Sequence, residues 1–168
     1  MENIGIDLET MKTTISRLIK LFHLEEIRTK NPYELSGGQK QRVALASIVA
    51  LDPEVIILDE PTSQLDPQST EEVFKIISLL KESGKTIIVV EHKVDLLAEF
   101  CDEIILMEEG QIIEFGSVHE VLSDPDILKH GGSLPQVAEF FIKHVKNCER
   151  VPITMSEAIE ILKGAKAL

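Results

Sequence analysis

The residues Val55-Ile56-Ile57-Leu58-Asp59-Glu60-Pro61 form a short apolar run that ends in two carboxylates and a proline. A second apolar run, Thr86-Ile87-Ile88-Val89-Val90, occurs further along the chain. Residues 69–83 between them carry apolar side chains at helical spacing, and Gly84 follows as a helix-ending residue. Continuous apolar runs of this length are typical of strands buried on both faces of a parallel sheet. The order strand, helix, strand predicts a βαβ unit, and therefore an α/β fold.

The segments on either side of this unit extend the prediction. Residues 8–24 place apolar side chains on one helical face, and a second helix is predicted from Ser36-Gly37-Gly38 to about residue 51. A short helix over 94–101 and a hairpin turning at Glu109-Gly110 are predicted after the second strand. Ser117 and Glu120 form a capping-box pattern, and residues 134–168 are predicted to be helical with a break near Pro152.

Composition excludes several classes of protein. The chain has 168 residues, which suits one domain of ordinary size, and its 17 basic against 29 acidic residues give a net charge of −12. This balance argues against broad nucleic-acid binding and against electrostatic docking on anionic lipid. The longest nearly apolar stretch, 43–51, is too short to span a membrane, and no secretory signal is expected at the N-terminus. Cys101 and Cys148 lack metal-ligand spacing and are expected to be reduced thiols.

The sequence Ser36-Gly37-Gly38-Gln39 at the start of the second helix is a candidate anion site. Unpaired N–H groups and the helix dipole attract a phosphate there, and glycines let the backbone approach it closely. The alternative is an N-cap followed by a permissive turn, without any ligand.

Asp59 and Glu60 follow the first strand, at the edge where parallel sheets usually hold their sites. Asp59 is a candidate ligand for Mg²⁺, directly or through water, and Glu60 is a candidate general base toward an attacking water. The alternative is a solvated acidic turn.

Two further polar residues follow at informative positions. His92 comes just after the second strand and is a candidate hydrogen-bond partner of a γ-phosphate. Its alternative role is that of a surface or capping histidine. Asp66 also has an alternative role without a ligand, because it is placed to cap the helix that opens near Ser69.

Taken in order, these pieces resemble the ATPase subunits of ABC transporters. Residues 35–39 are similar to the signature motif, and residues 55–60 to Walker B with its catalytic glutamate. Residues 63–66 resemble the D-loop, with Gln64 where alanine is more usual, and His92 resembles the switch histidine.

The resemblance covers about residues 3–122 and implies a P-loop NTPase-like parallel sheet with flanking helices. It implies ATP and Mg²⁺ as cofactors, with Glu60 and His92 as catalytic residues and Asp59 as the metal ligand. It assigns the remaining candidates to nucleotide binding: Ser36, Gly37, Gly38, Gln39 and Asp66. Its implied partners are a second ATPase subunit, in a homo- or heterodimer, and transmembrane transporter subunits. It places the chain in the cytoplasm, peripheral to the inner face of the membrane with indirect membrane contact, and gives it no nucleic-acid partner.

The C-terminal sequence narrows this resemblance. Residues 133–138 (Ser-Leu-Pro-Gln-Val-Ala), residues 151–154 (Val-Pro-Ile-Thr) and Glu157-Ala158 are similar to the C-terminal extension of energy-coupling-factor ATPases. Those ATPases power uptake of vitamins or of cobalt and nickel ions. The alternative is a generic helical appendage. The predicted division is therefore an ATPase portion over 1–132 and a C-terminal extension over 133–168.

One part of the family pattern is not found in these 168 residues, namely the phosphate-binding loop G-x-x-x-x-G-K-[ST]. The nearest match, Gly84-Lys85-Thr86, has Leu79 where the first glycine belongs, and it follows a helix instead of a strand. We therefore expect the chain to be the C-terminal portion of an ATPase, without its N-terminal part. Two consequences are expected: negligible ATPase activity of the chain alone, and an exposed apolar face on its sheet.

Two other interpretations stay open at this point. One is the C-terminal lobe of a chromosome-maintenance or DNA-repair ATPase, which would show many heptads before the signature motif, whereas residues 8–24 give one ordinary helix. The other is a catalytically silent subunit that completes or regulates the site of a partner.

Overall fold

A computed structural model describes residues 5–145, 148 and 150–165 of the chain, which divides into two compact units, Met1–Glu91 and His92–Leu168. Expectations for residues 1–4, 146, 147, 149 and 166–168 lie outside the described residues. The strands are β1 (Val55–Asp59), β2 (Thr86–Val90), β3 (Glu103–Glu108) and β4 (Gln111–Ser117). The α-helices are α1 (Leu8–Leu21), α2 (Gly37–Val49), α3 (Pro67–Glu82), α4 (Val94–Phe100), α5 (Val118–Leu122), α6 (Gln136–His144) and α7 (Met155–Ala165). Short 3-10 helices occupy Pro32–Glu34 and Pro125–His130.

The first unit contains the predicted βαβ arrangement. β1 and β2 pair in parallel, in a register that runs from Val55 opposite Thr86 to Asp59 opposite Val90. The crossover helix α3 contacts β2 and buries one apolar face, made of Val73, Phe74, Ile76, Ile77 and Leu80. The parallel pairing places the carboxyl ends of both strands at one edge of the sheet.

The prediction that the first strand is buried on both faces is wrong, whereas the expected exposed apolar face of the sheet is confirmed. Ile56 and Leu58 are 2% and 6% exposed, whereas Ile57 on the opposite face is 67% exposed. In β2 the side chains of Ile88 and Val90 are also about half exposed. An apolar run can line two covered faces, but the described residues of this unit cover only one face of β1.

The helices before the sheet are held to one another by Arg42. Helix α1 ends at Leu21, three residues earlier than predicted, and His23 follows with a positive φ of 51°. The Arg42 guanidinium on α2 donates to the carbonyl oxygens of Phe22 and His23 at 3.4 and 3.5 Å. It also lies 3.5 Å from the carboxylate of Glu72 on α3. One side chain thus ties α2 to the end of α1 and to the crossover helix.

The second unit contains the predicted hairpin and the helical C-terminal segment. β3 and β4 pair antiparallel around Glu109-Gly110, and the Ser117–Glu120 capping box opens α5. The core of the unit consists of Ala98, Val121, Leu122, Ile127, Leu134, Ala138 and Ile153. This core includes side chains from both sides of residue 132, and the domain boundary placed there stays a prediction. No helix among the described residues is long and apolar enough to cross a membrane.

Candidate functional site

The start of α2 forms a capping box. The Ser36 hydroxyl accepts from the Gln39 amide at 3.3 Å, and the Gln39 side-chain oxygen accepts from the Ser36 amide at 3.1 Å. The N-cap interpretation of Ser36 is therefore correct for this structure. In the part of the chain that the structure describes, the amides of Gly37 and Gly38 have no acceptor. Those two N–H groups at a helix start are available to an anion, so capping and anion binding are compatible here.

Gly38 allows α2 to pack closely against α3. A Cβ atom built on Gly38 would lie 2.4 Å from the hydroxyl oxygen and 2.7 Å from the Cβ of Ser69. A Cβ on the neighbouring Gly37 would lie 3.6 Å from the carbonyl oxygen of Gln64, which is an ordinary contact. The two glycines of the motif thus differ: Gly38 is required by packing, and Gly37 is not.

Asp66 caps the crossover helix. Its carboxylate accepts from the Ser69 amide at 3.0 Å and from the Ser69 hydroxyl at 2.7 Å. These hydrogen bonds, the one from the amide first, lower the pKa of Asp66 below its ordinary value of 3.8. Because Ser69 also contacts Gly38, it joins the D-loop-like turn to the signature-like helix start. Ser69 was not singled out from sequence, since nothing local marks a contact between segments so far apart.

The two candidate carboxylates lie at the carboxyl edge of the sheet, as predicted. Asp59 is the last residue of β1, Glu60 follows it, and both side chains are exposed. Glu60 has a φ of +43°, in the left-handed region, which costs on the order of 1–3 kcal/mol for a residue with a side chain. Its amide donates to the carbonyl oxygen of Val90 at 2.9 Å, and its carbonyl accepts from the Ser63 amide at 3.2 Å. Main-chain bonds on both sides hold this strained residue.

A buried threonine supports the same turn. Thr62 is fully buried, and its hydroxyl donates to the carboxylate of Glu91, the residue that follows β2. Neither residue was singled out from sequence. The available signal was weak: a threonine just after Glu60-Pro61, and an acidic residue directly before the candidate histidine.

His92 is placed just after β2, as predicted, and it is exposed. Its carbonyl oxygen accepts from the Val94 amide at 3.1 Å, at the start of α4. His92 is the first residue of the second unit, and its hydrogen bond to a γ-phosphate stays a prediction.

The candidate metal ligand Asp59 is not part of a larger cluster of metal-binding side chains among the described residues. No group of three or more His, Cys, Asp and Glu side chains that could hold a metal occurs among them. Mg²⁺ in nucleotide sites is bound by one or two carboxylates, with substrate phosphates and water as the other ligands. The exposed carboxylate of Asp59 fits that requirement.

Comparison with known proteins decides the family. A family model described as ABC transporter matches residues 1–63. A putative ABC transporter ATP-binding protein of Clostridium tetani is 41% identical over 167 residues, covering 99% of this chain and 37% of the relative. The chain belongs to the ABC transporter ATPase family. A second putative ABC transporter ATP-binding protein, from Pyrococcus horikoshii, is 41% identical over 169 residues, covering 98% of the chain and 60% of that protein.

Other similar ABC transporter proteins agree with the energy-coupling-factor resemblance. An energy-coupling factor transporter ATP-binding protein of Lactococcus lactis is 36% identical over 167 residues, with 96% of the chain and 58% of the relative covered. The chain spans about 60% or less of the length of these three relatives. The predicted resemblance to ABC transporter ATPases, with energy-coupling-factor ATPases among the relatives, is confirmed.

Solved ABC transporter structures confirm the fold class. The structure of cbiO1 of Clostridium perfringens, part of the ABC transporter complex cbiONQ, matches with a TM-score of 0.67 at 30% identity. That match covers 84% of this chain and 53% of cbiO1. An ATP-binding cassette of an ABC transporter in its ADP conformation matches with a TM-score of 0.67 at 27% identity, over 76% of this chain and 52% of that one. The α/β fold of the ATP-binding cassettes is therefore shown for this ABC transporter ATPase sequence.

Proposed function

We propose that the chain acts as an ATP-binding and ATP-hydrolysing component of an ABC importer of the energy-coupling-factor type. In this role it couples ATP hydrolysis to uptake of a metal ion or a vitamin. Its partners are a second ATPase subunit and transmembrane subunits, and it works at the inner face of the membrane. The relatives named energy-coupling factor transporter ATP-binding proteins support the type of transporter.

The observation that carries the proposal is the connection between the helix start and the helix cap. The amides of Gly37 and Gly38 have no acceptor among the described residues, while Ser69 joins Gly38 to Asp66. A phosphate-binding helix start is thus fixed against the loop that follows the carboxylates. An arrangement of this kind suits a motif that one subunit presents to nucleotide held by another.

The carboxylates supply the chemistry of hydrolysis in this proposal once a phosphate-binding loop holds ATP beside them. Asp59 would hold Mg²⁺, which would neutralise charge on the nucleotide phosphates when bound. Glu60 is exposed at the sheet edge and orients an attacking water as general base. His92 follows at the end of the adjacent strand and donates a hydrogen bond to the γ-phosphate. The strained backbone of Glu60 fixes the direction in which its carboxylate leaves the turn.

The sharing of sites between two subunits determines what this chain contributes. In the ABC arrangement, Walker A and Walker B of one subunit face the signature motif of the other. The 168-residue chain carries a signature-like helix start but no G-x-x-x-x-G-K-[ST] sequence. We therefore expect the chain on its own to offer Ser36 to ATP held by a partner, and not to cradle ATP beside its own Glu60.

ATP turnover by the purified 168-residue chain tests this expectation first. The expected rate equals the buffer background, with and without Mg²⁺. Robust turnover that disappears in Glu60→Gln would contradict it, because the chain would then complete its own site. ATP turnover by a mixture with a loop-bearing partner subunit tests the signature motif separately.

The importer role is preferred over a DNA-acting ATPase lobe and over a silent subunit. The net charge of −12 opposes binding to a phosphate backbone, and the relatives are named as transporter proteins. A silent subunit would have no need of Asp59 and Glu60 at the sheet edge, yet both are present.

A further inference from the structure

The loop that carries Glu60 is attached to the end of β2 at two successive positions. The Glu60 amide donates to the carbonyl oxygen of Val90 at 2.9 Å. Two residues later in the loop, the hydroxyl of Thr62 donates to the carboxylate of Glu91. Loop residues 60 and 62 are thus bonded to the consecutive residues 90 and 91, on either side of the buried Pro61.

We propose that Thr62 and Glu91 are positioning residues, whose hydrogen bond holds Glu60 in its left-handed conformation and fixes the peptide that leads into His92. The inference rests on the proposed function for the roles of Glu60 and His92. It adds two residues that touch neither nucleotide nor water in that function, and that act through their neighbours.

The strain at Glu60 is the first argument for this role. A residue with a side chain stays at a φ of +43° only where the surrounding contacts impose it. The main-chain bonds of Glu60, one to Val90 and one from Ser63, lie at the exposed end of a two-stranded pairing, where such bonds are a weak constraint. The Thr62 hydroxyl provides a second constraint from a fully buried position, where its geometry is fixed by packing.

The charge of the acceptor is the second argument. A hydroxyl that donates to a carboxylate makes a stronger and more directional bond than one that donates to a neutral group. Glu91 is partly buried, which strengthens the bond further because less water competes for its carboxylate. The position of Glu91 matters as well, since His92 is the next residue in the chain. A constraint on Glu91 is therefore also a constraint on where the backbone of His92 begins.

Amide hydrogen exchange of the 168-residue chain, resolved by NMR, tests the inference without nucleotide. In Thr62→Val, which keeps the shape but loses the donor, we expect the Glu60 amide to exchange about tenfold faster. Thr62→Ser restores the hydroxyl and should return the exchange rate to the wild-type value. Glu91→Gln keeps an acceptor without charge and should give an intermediate rate, whereas Glu91→Ala should match Thr62→Val. The backbone NMR chemical shifts of His92 should depart from their wild-type values in the same order of variants.

Thr70→Val is the matched control. Thr70 is also buried, at 5% exposure, and its hydroxyl has no hydrogen-bond partner within the described residues. This variant should leave the Glu60 amide and the His92 shifts unchanged. Exchange of the α3 amides, followed in every variant, separates a local change at the loop from a loss of global stability.

The proposal is overturned if Thr62→Val leaves the exchange rate of the Glu60 amide unchanged, as Thr70→Val should. It is also overturned if Thr62→Ser raises that rate as much as Thr62→Val does. If Thr62→Val does not fold, the Glu91→Gln and Glu91→Ala variants test the proposal instead. A wild-type exchange rate of the Glu60 amide in both of them overturns it. Because no ATP is present, these outcomes are independent of the turnover experiments. If the chain does not support ATP turnover but the variants show the predicted order of exchange rates, the proposed function is wrong. The positioning role of Thr62 and Glu91 then still holds.

Discussion

Gly38 lies so close to Ser69 that a Cβ atom on the glycine would be only 2.4 Å from the serine hydroxyl oxygen. Ser69 in turn hydrogen-bonds the Asp66 carboxylate through both its amide and its hydroxyl. The second glycine of the signature-like motif therefore has an internal packing role, in addition to any role toward nucleotide. Through Ser69, the first turn of α2 and the cap of α3 form one connected structure.

Gly38→Ala is the first test of this contact. The added methyl must displace Ser69, and overpacking of this kind costs about 1–3 kcal/mol of unfolding free energy. Gly37→Ala is the matched control, because its Cβ meets only an ordinary contact at 3.6 Å and alanine is the better helix former. Urea unfolding of both variants measures the difference. In a Ser69→Gly background, where the clashing side chain is gone, Gly38→Ala should cost much less than it does in wild type. Equal stability of the two single glycine variants would show the contact to be unimportant.

The Asp66 cap predicts a defined pH dependence. The pKa of Asp66 is lowered in the folded state, so its ionised form contributes stability above pH 3.8, the ordinary value. That contribution is lost as the pH falls through the lowered folded-state pKa. Asp66→Asn keeps an N-cap acceptor but cannot ionise.

The stability difference between wild type and Asp66→Asn should therefore be fully present near neutral pH and shrink in acid. Thermal or urea unfolding at several pH values below and above 3.8 measures it. A difference that stays constant across this range would mean that the Asp66 charge contributes nothing to the cap.

The exposed face of β1 predicts self-association of the isolated chain. Ile57 is 67% exposed, and Val55, Ile88 and Val90 on the same face are about half exposed. An apolar patch of this kind favours association. Ile57→Thr should lower the association seen in sedimentation velocity, while changing unfolding free energy by no more than about 0.5 kcal/mol.

Ile56→Thr is the control one residue away. Ile56 is 2% exposed, so the same substitution should cost about 2 kcal/mol of stability without reducing the patch. A wild-type chain that stays monomeric at high concentration would contradict the association prediction.

Local sequence patterns were sufficient for the order of elements. Apolar runs and helical spacing predicted β1, α3 and β2, and turn chemistry at Glu109-Gly110 predicted the hairpin. The Ser117–Glu120 capping box was also predicted, because capping depends on residues three apart. Patterns of this kind are encoded within one element or between neighbouring elements.

Contacts between distant segments could not be predicted in the same way. Nothing near Gly38 in the sequence indicates Ser69, and nothing near Thr62 indicates Glu91 as its hydrogen-bond partner. The apolar run alone mispredicted burial at Ile57, because such a run does not say how many of its faces are covered, whereas the missing phosphate-binding loop correctly predicted an exposed apolar face. The candidate residues were placed correctly along the chain, whereas the groups that hold them in position became visible only in the structure.

We expect Ser36 and its neighbours to serve ATP that is held by another subunit. The most direct test of this expectation mixes this chain with a full-length energy-coupling-factor ATPase subunit that has an intact phosphate-binding loop and a disabled signature motif. Neither component turns over ATP alone in this design, so activity reports complementation.

Ser36→Ala also removes an N-cap, which by itself costs about 1 kcal/mol of helix stability. Ser117→Ala is therefore the matched control, because it removes the same kind of capping box from α5. Both variants should lose a comparable amount of stability, and only Ser36→Ala should lose ATP turnover.

The decisive measurement is the ATP turnover rate of this mixture with wild-type chain, Ser36→Ala and Ser117→Ala. We expect turnover above background with wild type, an undiminished rate with Ser117→Ala, and a rate about tenfold lower with Ser36→Ala. Turnover that never rises above background, or that is equally high with Ser36→Ala, would contradict this expectation.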